Sequence, residues 1–274
     1  KFVMKVDTSA VISNVELNDE QKRNLQSEIR FNLNRRGLPK NNLMTLDLIN
    51  QVNLNNWKRP VYFAVTASRQ NYLGLEDYLH REGLGYRLLP HTGKGNDLFG
   101  GNVNTGKMYE NLMNKFKWGN IQDPDVYLDE NNLRMITNLR YTFATLANAL
   151  YEEGKSDSAK VVLDKCMEIM PNANAPYDAA TPLIIQVYYN IGENDKAIEI
   201  SRTFAEMLDQ ELSYYDDLRA DKPQKFSLSS QDFSYAQRNL FTLFSFASSF
   251  GEEEFANELM ERIEKHGMGG LPPM

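Results

Sequence analysis

The sequence predicts an α+β fold, in which a small α/β domain at residues 1–104 precedes an all-α helical repeat domain at residues 105–271. Strand-like and helix-like segments alternate in the first hundred residues, and helical periodicity prevails after a glycine-rich segment at 91–106. Charge divides at the same place: residues 1–100 hold 14 Lys and Arg against 10 Asp and Glu, whereas the remainder is acidic. This asymmetry favours two units with different surroundings.

Apolar patterning predicts six elements in the first domain. They are a strand, two helices, a strand, a helix and a strand, at residues 2–6, 18–36, 42–54, 60–67, 71–82 and 85–89. Asn18 can cap the first helix, with Gln21 completing a reciprocal pair. The run PVYFAVTA at 60–67 is typical of a strand buried on both faces. The last three elements favour a parallel βαβ unit.

The segment 91–106 contains five glycines and almost no periodicity. Glycines can let backbone N–H groups approach a phosphate, but neither G-x-x-x-x-G-K-[ST] nor G-x-G-x-x-G is present. A domain linker or surface loop is the favoured interpretation.

Beyond the glycines a helical pattern repeats three times. In each copy an i, i+3, i+4, i+7 apolar stripe is followed by a glycine and then an alanine, at Gly154 and Ala159, Gly192 and Ala197, and Gly251 and Ala256. Glycine supplies the turn of a helix pair, and alanine allows close approach of the second helix. These residues resemble the tetratricopeptide repeat, with an irregular period and an insert at about 214–232. A plain helical bundle is the alternative.

Residues suited to catalysis are sparse. A net charge of −7 argues against a nucleic-acid partner. Cys166 occupies a helix-packing position, which favours a buried side chain over a nucleophile. His80, His91 and His266 are scattered without partners at ligand spacing, so the sequence indicates no metal, no cofactor and no catalytic residue. His80 is expected to be exposed or half-buried on a helix.

The most specific motifs lie in residues 48–90. They are Trp57-Lys58-Arg59-Pro60 leading into Val61-Tyr62-Phe63-Ala64, then Tyr72-Leu73-Gly74-Leu75, and Glu82-Gly83-Leu84 with Tyr86-Arg87-Leu88. This stretch resembles the C-terminal extramembrane part of the Bacteroidetes family 117 glycosyltransferase-like membrane proteins, also described as protein O-mannosyltransferase-like or by the domain-of-unknown-function label 2723. The resemblance implies a multi-span membrane region that would hold the acidic catalytic residue and the lipid-linked sugar donor. Because that membrane region is not part of this sequence, the resemblance implies no catalytic residue among its 274 residues.

The resemblance implies the periplasmic, extramembrane region of a membrane glycosyltransferase-like protein, acting in acceptor or partner recognition rather than catalysis. The expected partners are a protein or peptide segment and the membrane-embedded part of the parent chain. One alternative is a free-standing tetratricopeptide scaffold for protein–protein interaction. Another is a soluble enzyme with an interdomain active site.

Three sets of residues are candidates for function. Tyr72, Tyr78, Glu82 and Arg87 could form a patch toward the membrane region, or Glu82 and Arg87 could simply pair. Residues off the buried stripes are expected to line a concave groove for an internal peptide segment, unless the chain fills it itself: Tyr141, Asn148, Tyr151, Gln186, Tyr189, Arg238, Phe241 and Ser245. Ser158, in Asp157-Ser158-Ala159, matches a short pattern that resembles Bacteroidetes O-glycosylation acceptors.

Overall fold

A computed structural model describes residues 2–33, 37–93, 95–97, 100–228 and 230–267. It confirms the α+β class, with small sheets in the N-terminal part and a helical C-terminal region. The chain forms two compact units: unit 1 comprises Lys1–Gly119 and Thr145–Lys155, and unit 2 comprises Asn120–Ala144 and Ser156–Met274. None of the helices in the described ranges is long and apolar enough to cross a membrane.

Unit 1 contains short strands and short helices. The strands are β1 (Phe2–Lys5), β2 (Glu28–Phe31), β3 (Tyr62–Ala64), β4 (Leu79–Arg81), β5 (Gly85–Leu88) and β6 (Asn102–Val103). The helices are α1 (Thr8–Asn14), α2 (Asp19–Arg23), α3 (Lys40–Leu54) and α4 (Thr105–Tyr109), and a π-helical turn continues α4 to Lys115. The larger sheet has the order β3-β5-β4-β6, and β1 pairs with β2 separately.

The predicted βαβ unit is wrong. β4 and β5 form an antiparallel hairpin, and β3 also pairs antiparallel with β5. The predicted helix at 71–82 breaks because Leu73 and Gly74 have φ values of 60° and 77°, so only single turns precede β4. The following strand at Gly85 is confirmed. The only parallel pairing in the described sheet joins β4 to β6.

The predicted strand at 60–67 is shorter and less buried than expected. β3 covers only Tyr62–Ala64, in which Phe63 is buried between exposed neighbours. The strand lies at the edge of its sheet, and the outward side chains of Tyr62 and Ala64 show that only one of its faces is covered. The prediction that it is buried on both faces is therefore wrong.

The predicted helix at 18–36 begins correctly and then ends early. Asn18 and Gln21 form the reciprocal cap, with N–O distances of 2.8 and 3.0 Å. The helix stops at Arg23, and β2 follows instead, because Ile29 is fully buried where β2 pairs with β1. Strand pairing with a distant segment overrides the four-residue apolar spacing.

Helix α3 confirms the prediction at 42–54, and a polar residue on it is explained by two long-range contacts. The Nδ2 atom of Asn53 donates to the carbonyl of Lys5 at 2.8 Å, and its Oδ1 atom accepts from Trp57 Nε1 at 3.0 Å. Ile49 and Trp57 enter the unit 1 core. Asn53 thus fixes the end of α3 against β1.

The glycine-rich segment is not a linker, because it supplies β6 and packs against the sheet. A Cβ atom on Gly93 would overlap the side chain of Asn102. A Cβ atom on Gly101 would lie 2.8 Å from the carbonyl oxygen of Leu79, and Gly101 has a φ of 102°. Close packing therefore requires glycine at these two positions. Unit 1 extends to Gly119, beyond the predicted boundary at 104.

Unit 2 is helical, and its turns follow the predicted glycines. The helices of the repeat region are α5 (Glu130–Glu152), α6 (Ser156–Ile169), α7 (Thr181–Asn190), α8 (Asn194–Asp221), α9 (Pro223–Leu228), α10 (Ser230–Ser249) and α11 (Glu253–Lys265). Helix α7 packs against α8, and α10 against α11. Gly192 and Gly251 join these pairs with φ values of 82° and 79°, as the pattern predicted. The predicted insert begins as an extension of α8.

Candidate functional site

A polar pocket of about 110 Å³ lies in unit 1 where α2, the end of β5 and the glycine-rich segment meet. Amide, imidazole, hydroxyl and carboxylate side chains dominate its lining. The lining residues are Asn18, Glu20, Gln21, Asn24, His80, His91, Thr92, Gly93, Asn96, Asn102, Val103, Asn104, Thr105, Gly106 and Glu153. Such groups can bind a ligand that carries several hydrogen-bonding atoms.

Two buried histidines stand side by side in this pocket. The ring centroids of His80 and His91 are 3.9 Å apart. His80 lies on β4, and its Nε2 atom donates to the carbonyl oxygen of His91 at 3.0 Å. His91 follows β5 and forms an isolated antiparallel bridge with Leu25, next to α2. The prediction that His80 is exposed or half-buried on a helix is wrong, since it lies on a strand and only 2% of it is exposed.

Both imidazoles are held in the neutral form. Desolvation, assisted by the neighbouring His91, lowers the pKa of His80 to about 3. Desolvation also lowers the pKa of His91 from its ordinary value. Because burial penalises the charged state, these rings carry no charge at neutral pH.

The hydrogen bonds of His91 fix its tautomer. Its Nδ1 atom lies 3.2 Å from the carbonyl oxygen of Thr92, which can only accept, so Nδ1 carries the proton. In the neutral ring, Nε2 then presents a lone pair. This atom is buried and has no hydrogen-bond partner among the described residues. An unpaired buried acceptor in a polar pocket is a position at which a ligand O–H or N–H group can donate.

Asn102 and Gln26 hold the pocket walls in place. The Nδ2 atom of Asn102 donates to the carbonyls of Asp77 and Leu79 at 2.8 and 3.2 Å, and its Oδ1 atom accepts from Gly95. Gln26 Nε2 donates to Thr92 Oγ1 at 3.0 Å. These contacts join β6 and the end of β5 to neighbouring backbone around the pocket.

A buried ion pair anchors the glycine-rich segment beside the pocket. Arg81 Nη1 lies 3.2 Å from Asp97 Oδ2, and the side chains are 2% and 0% exposed. Tyr86 donates its hydroxyl to Asp97 Oδ1 at 3.0 Å, and Arg81 lies over the Tyr86 ring. Arg81 Nε also donates to the carbonyl of Gly83 at 3.2 Å. With its charges compensated in this way, the cluster serves to hold residues 95–97 on the sheet.

The predicted patch of Tyr72, Tyr78, Glu82 and Arg87 is not an exposed surface. The first three residues are 2%, 5% and 6% exposed, because they pack into or beside the unit 1 core. Glu82 pairs with Arg87 at 3.8 Å and accepts a 2.7 Å hydrogen bond from the Tyr62 hydroxyl. Asn104 also donates to this carboxylate at 3.1 Å. Glu82 and Arg87 thus pair, with Glu82 buried and Arg87 half-buried, whereas the alternative placed such a pair at the surface.

The predicted groove residues differ in accessibility. Within unit 2, Gln186, Arg238 and Ser245 are exposed, and Tyr141 and Phe241 are half-buried. Tyr189 stacks on Phe250 with centroids 4.6 Å apart and is 3% exposed, so its predicted place in an open groove is wrong.

Two groove residues belong to unit 1, where Tyr151 is exposed. Asn148 is half-buried and donates to Glu152 Oε1 at 2.9 Å, one turn later on α5. Their predicted role in binding a peptide stays a prediction.

Ser158 and Cys166 both lie on helix α6. Ser158 is half-buried in the first turns of α6. Cys166 is buried as predicted, and burial raises the pKa of its thiol to about 12. In the part of the chain that the structure describes, no group of three or more His, Cys, Asp or Glu residues is arranged to hold a metal ion.

Sequence reasoning did not identify the histidine pair or the Arg81–Asp97 pair. His80 and His91 are eleven residues apart. His80 lies opposite Arg87 in the β4–β5 hairpin, and the chain beyond β5 pairs His91 with Leu25 and places its ring against that of His80. Arg81 stands between His80 and Glu82, so the local sequence gives no signal that it is buried and therefore needs a partner.

A protein-family model matches the N-terminal part of the chain. The model of the family described as TMEM260-associated domain 2 matches residues 1–107. No curated protein and no solved structure matches the chain significantly. The matched range contains β1 to β6 and most of the polar pocket lining.

Proposed function

We propose that this chain is the extramembrane, periplasmic region of a membrane glycosyltransferase-like protein, in which unit 1 recognises the acceptor. The family match over residues 1–107 supports this, since the family's name associates the domain with TMEM260. The motifs of residues 48–90 support it through their resemblance to family 117 glycosyltransferase-like proteins. The expected partners remain an acceptor protein or peptide and the membrane-embedded part of the parent chain.

The buried lone pair of His91 in the polar pocket is the observation on which acceptor recognition rests. O-linked glycosylation acceptors present hydroxyl groups, and a hydroxyl can donate to His91 Nε2 while accepting from a neighbouring amide. A hydroxyl-bearing ligand would therefore satisfy the unpaired Nε2 atom of His91, a residue of the pocket lining. An apolar ligand would leave it unsatisfied.

The histidine pair favours binding over proton transfer. A general base works best when its pKa lies near the operating pH, whereas that of His80 is lowered to about 3. Both rings are oriented by backbone carbonyls, which fix a single tautomer. These features fit a rigid, uncharged binding surface.

We further infer that the helix pairs of unit 2 are tetratricopeptide-like and bind a protein segment. Gly192 and Gly251 occupy the left-handed conformation at the turns, and Ala197 and Ala256 are buried at the start of the second helices. Exposed Gln186, Arg238 and Ser245 remain the candidate contacts. Helix α8, at 28 residues, is about twice as long as the second helix of a regular repeat.

A peptide titration of the full chain tests acceptor recognition. The probe is a synthetic peptide with the sequence around Asp157-Ser158-Ala159, unmodified and O-mannosylated, with a Ser-to-Ala peptide as the blank. Loss of one hydrogen bond on His91→Phe should weaken binding about three- to tenfold in isothermal titration calorimetry. Asn50→Ala, an exposed polar change outside the pocket, is the matched control.

An ¹⁵N spectrum of the histidine rings supplies a second readout. Binding should shift the Nε2 resonance of His91 and leave that of His266 unchanged. Equal affinity for the serine and alanine peptides, or no binding to any of them, would contradict acceptor recognition by this pocket. Intact mass of exported protein tests separately whether Ser158 itself carries a hexose.

A further inference from the structure

Helix α3 exposes long apolar side chains on the side opposite to its core contacts. Leu43, Met44, Leu48 and Leu54 are between 51% and 67% exposed, whereas Ile49 on the inner side is 3% exposed. These four exposed apolar side chains share the outward side of the 15-residue helix with the exposed polar residues Asp47 and Gln51. We call this the α3 outer face.

An apolar groove of about 400 Å³ extends the α3 outer face at its C-terminal end. Leu48 and Val52 contribute the apolar surface, and Lys58 and Arg59 also line it. Both cationic residues are exposed. The buried side chain of Trp57 anchors the backbone directly before them. The groove thus combines hydrocarbon with positive charge.

Positive charge stands at both ends of the α3 outer face. Lys40 begins the helix, and Lys58 and Arg59 follow its end, while Asp47 is the acidic residue of the helix. Within the described ranges, the structure shows no ion pair for any of these three cations. A helix of this length spans about 22 Å. Cations separated by that distance match an extended anionic surface better than a compact anionic ligand.

We propose that the α3 outer face, with Lys40, Lys58 and Arg59, binds the surface of an anionic lipid bilayer. The helix lies in the plane of the headgroups, the apolar side chains enter the boundary with the acyl chains, and the cations contact lipid phosphates. Burial of Leu48 and its neighbours supplies the hydrophobic contribution, and the cations make the binding depend on lipid charge and salt. This surface is separate from the His91 pocket and extends the proposed function.

Vesicle flotation of the full chain tests the proposal. The probes are phosphatidylcholine vesicles with and without 30% phosphatidylglycerol. We expect binding to the anionic vesicles, reduced about fivefold by each of Lys58→Gln and Arg59→Gln. Combined Met44→Gln, Leu48→Gln and Leu54→Gln should reduce it about tenfold or more. These residues are exposed, so circular dichroism should show an unchanged fold.

Matched variants of unit 2 control for nonspecific effects. Lys222→Gln with Lys225→Gln removes two exposed cations, and Met135→Gln with Val161→Gln removes two exposed apolar side chains. Both controls should bind vesicles as well as the unchanged chain does. The variant His91→Phe should also bind vesicles normally, and this result would separate lipid binding from acceptor recognition. Absence of vesicle binding, or equal loss in the controls, would overturn the proposal. So would a dimer in sedimentation velocity that the α3 substitutions abolish, because the face would then bind a second copy.

Discussion

Removal of Asp97 from its buried ion pair should destabilise unit 1 selectively. The side chains of Arg81 and Asp97 are almost completely desolvated, and Asp97 also accepts from the Tyr86 hydroxyl. Loss of one member of such a pair costs about 3–5 kcal/mol, because a charge and a hydroxyl lose their buried partner. With a urea m-value of about 2 kcal/mol/M, Asp97→Ala should lower the urea midpoint of unit 1 by about 1.5–2.5 M.

Tryptophan fluorescence can follow unit 1 alone. Trp57 and Trp118 are the two tryptophans of the chain, and both lie within Lys1–Gly119. The far-ultraviolet circular dichroism signal comes mainly from the long helices of unit 2, so its transition should move much less. The exposed pair of Arg202 and Glu258 provides the control: Glu258→Gln should cost under about 1 kcal/mol.

A double variant distinguishes loss of the pair from loss of packing. Arg81→Met with Asp97→Leu replaces both charges by apolar side chains of similar size, which is often neutral or stabilising. We expect it to be more stable than Asp97→Ala alone. If the fluorescence midpoint shows that Asp97→Ala lowers the free energy of unfolding by less than about 1 kcal/mol, the ion pair does not stabilise unit 1 as proposed.

Three further predictions concern residues of the pocket lining. The unfolded chain protonates His80 near pH 6.5 but the folded chain only near pH 3, so His80 alone should cost unit 1 about 1.4 kcal/mol of stability per pH unit below 6.5. His91, whose pKa is also lowered, adds to this loss, and fluorescence-detected urea unfolding at pH 7.5 and 5.5 measures the sum. Gly93→Ala should destabilise unit 1 by about 1–3 kcal/mol, because Asn102 is fixed by its hydrogen bonds and cannot yield to the new methyl group. Gly106→Ala in α4, where nothing lies within 4 Å of the new methyl group, should be stabilising by about 0.5–1 kcal/mol in the same assay.

His80→Gln should have a shallower pH dependence than the unchanged chain. An identical slope would mean that His80 is not the group that titrates. Equal stability of Gly93→Ala and Gly106→Ala would contradict the close packing inferred between β6 and the glycine-rich segment.

The sequence by itself determined the features that depend on neighbouring residues. The α+β class and its order, the reciprocal cap of Asn18 and Gln21, helix α3, and the glycine turns at Gly192 and Gly251 all follow from local periodicity or local backbone preference. The buried position of Cys166 follows from the same helical periodicity. Such signals lie within a few residues, so they can be read without knowledge of the fold.

Tertiary structure decided the features that depend on distant residues. Ile29 lies in a strand rather than a helix because β2 pairs with β1. Tyr189 is buried because Phe250 stacks on its ring. The pocket required contacts between distant segments, which place the ring of His80 against that of His91 and pair His91 with Leu25. Contacts between residues tens of positions apart decide which polar side chains pair and which are buried away from water. A local sequence pattern does not contain those contacts, so only the folded chain shows them.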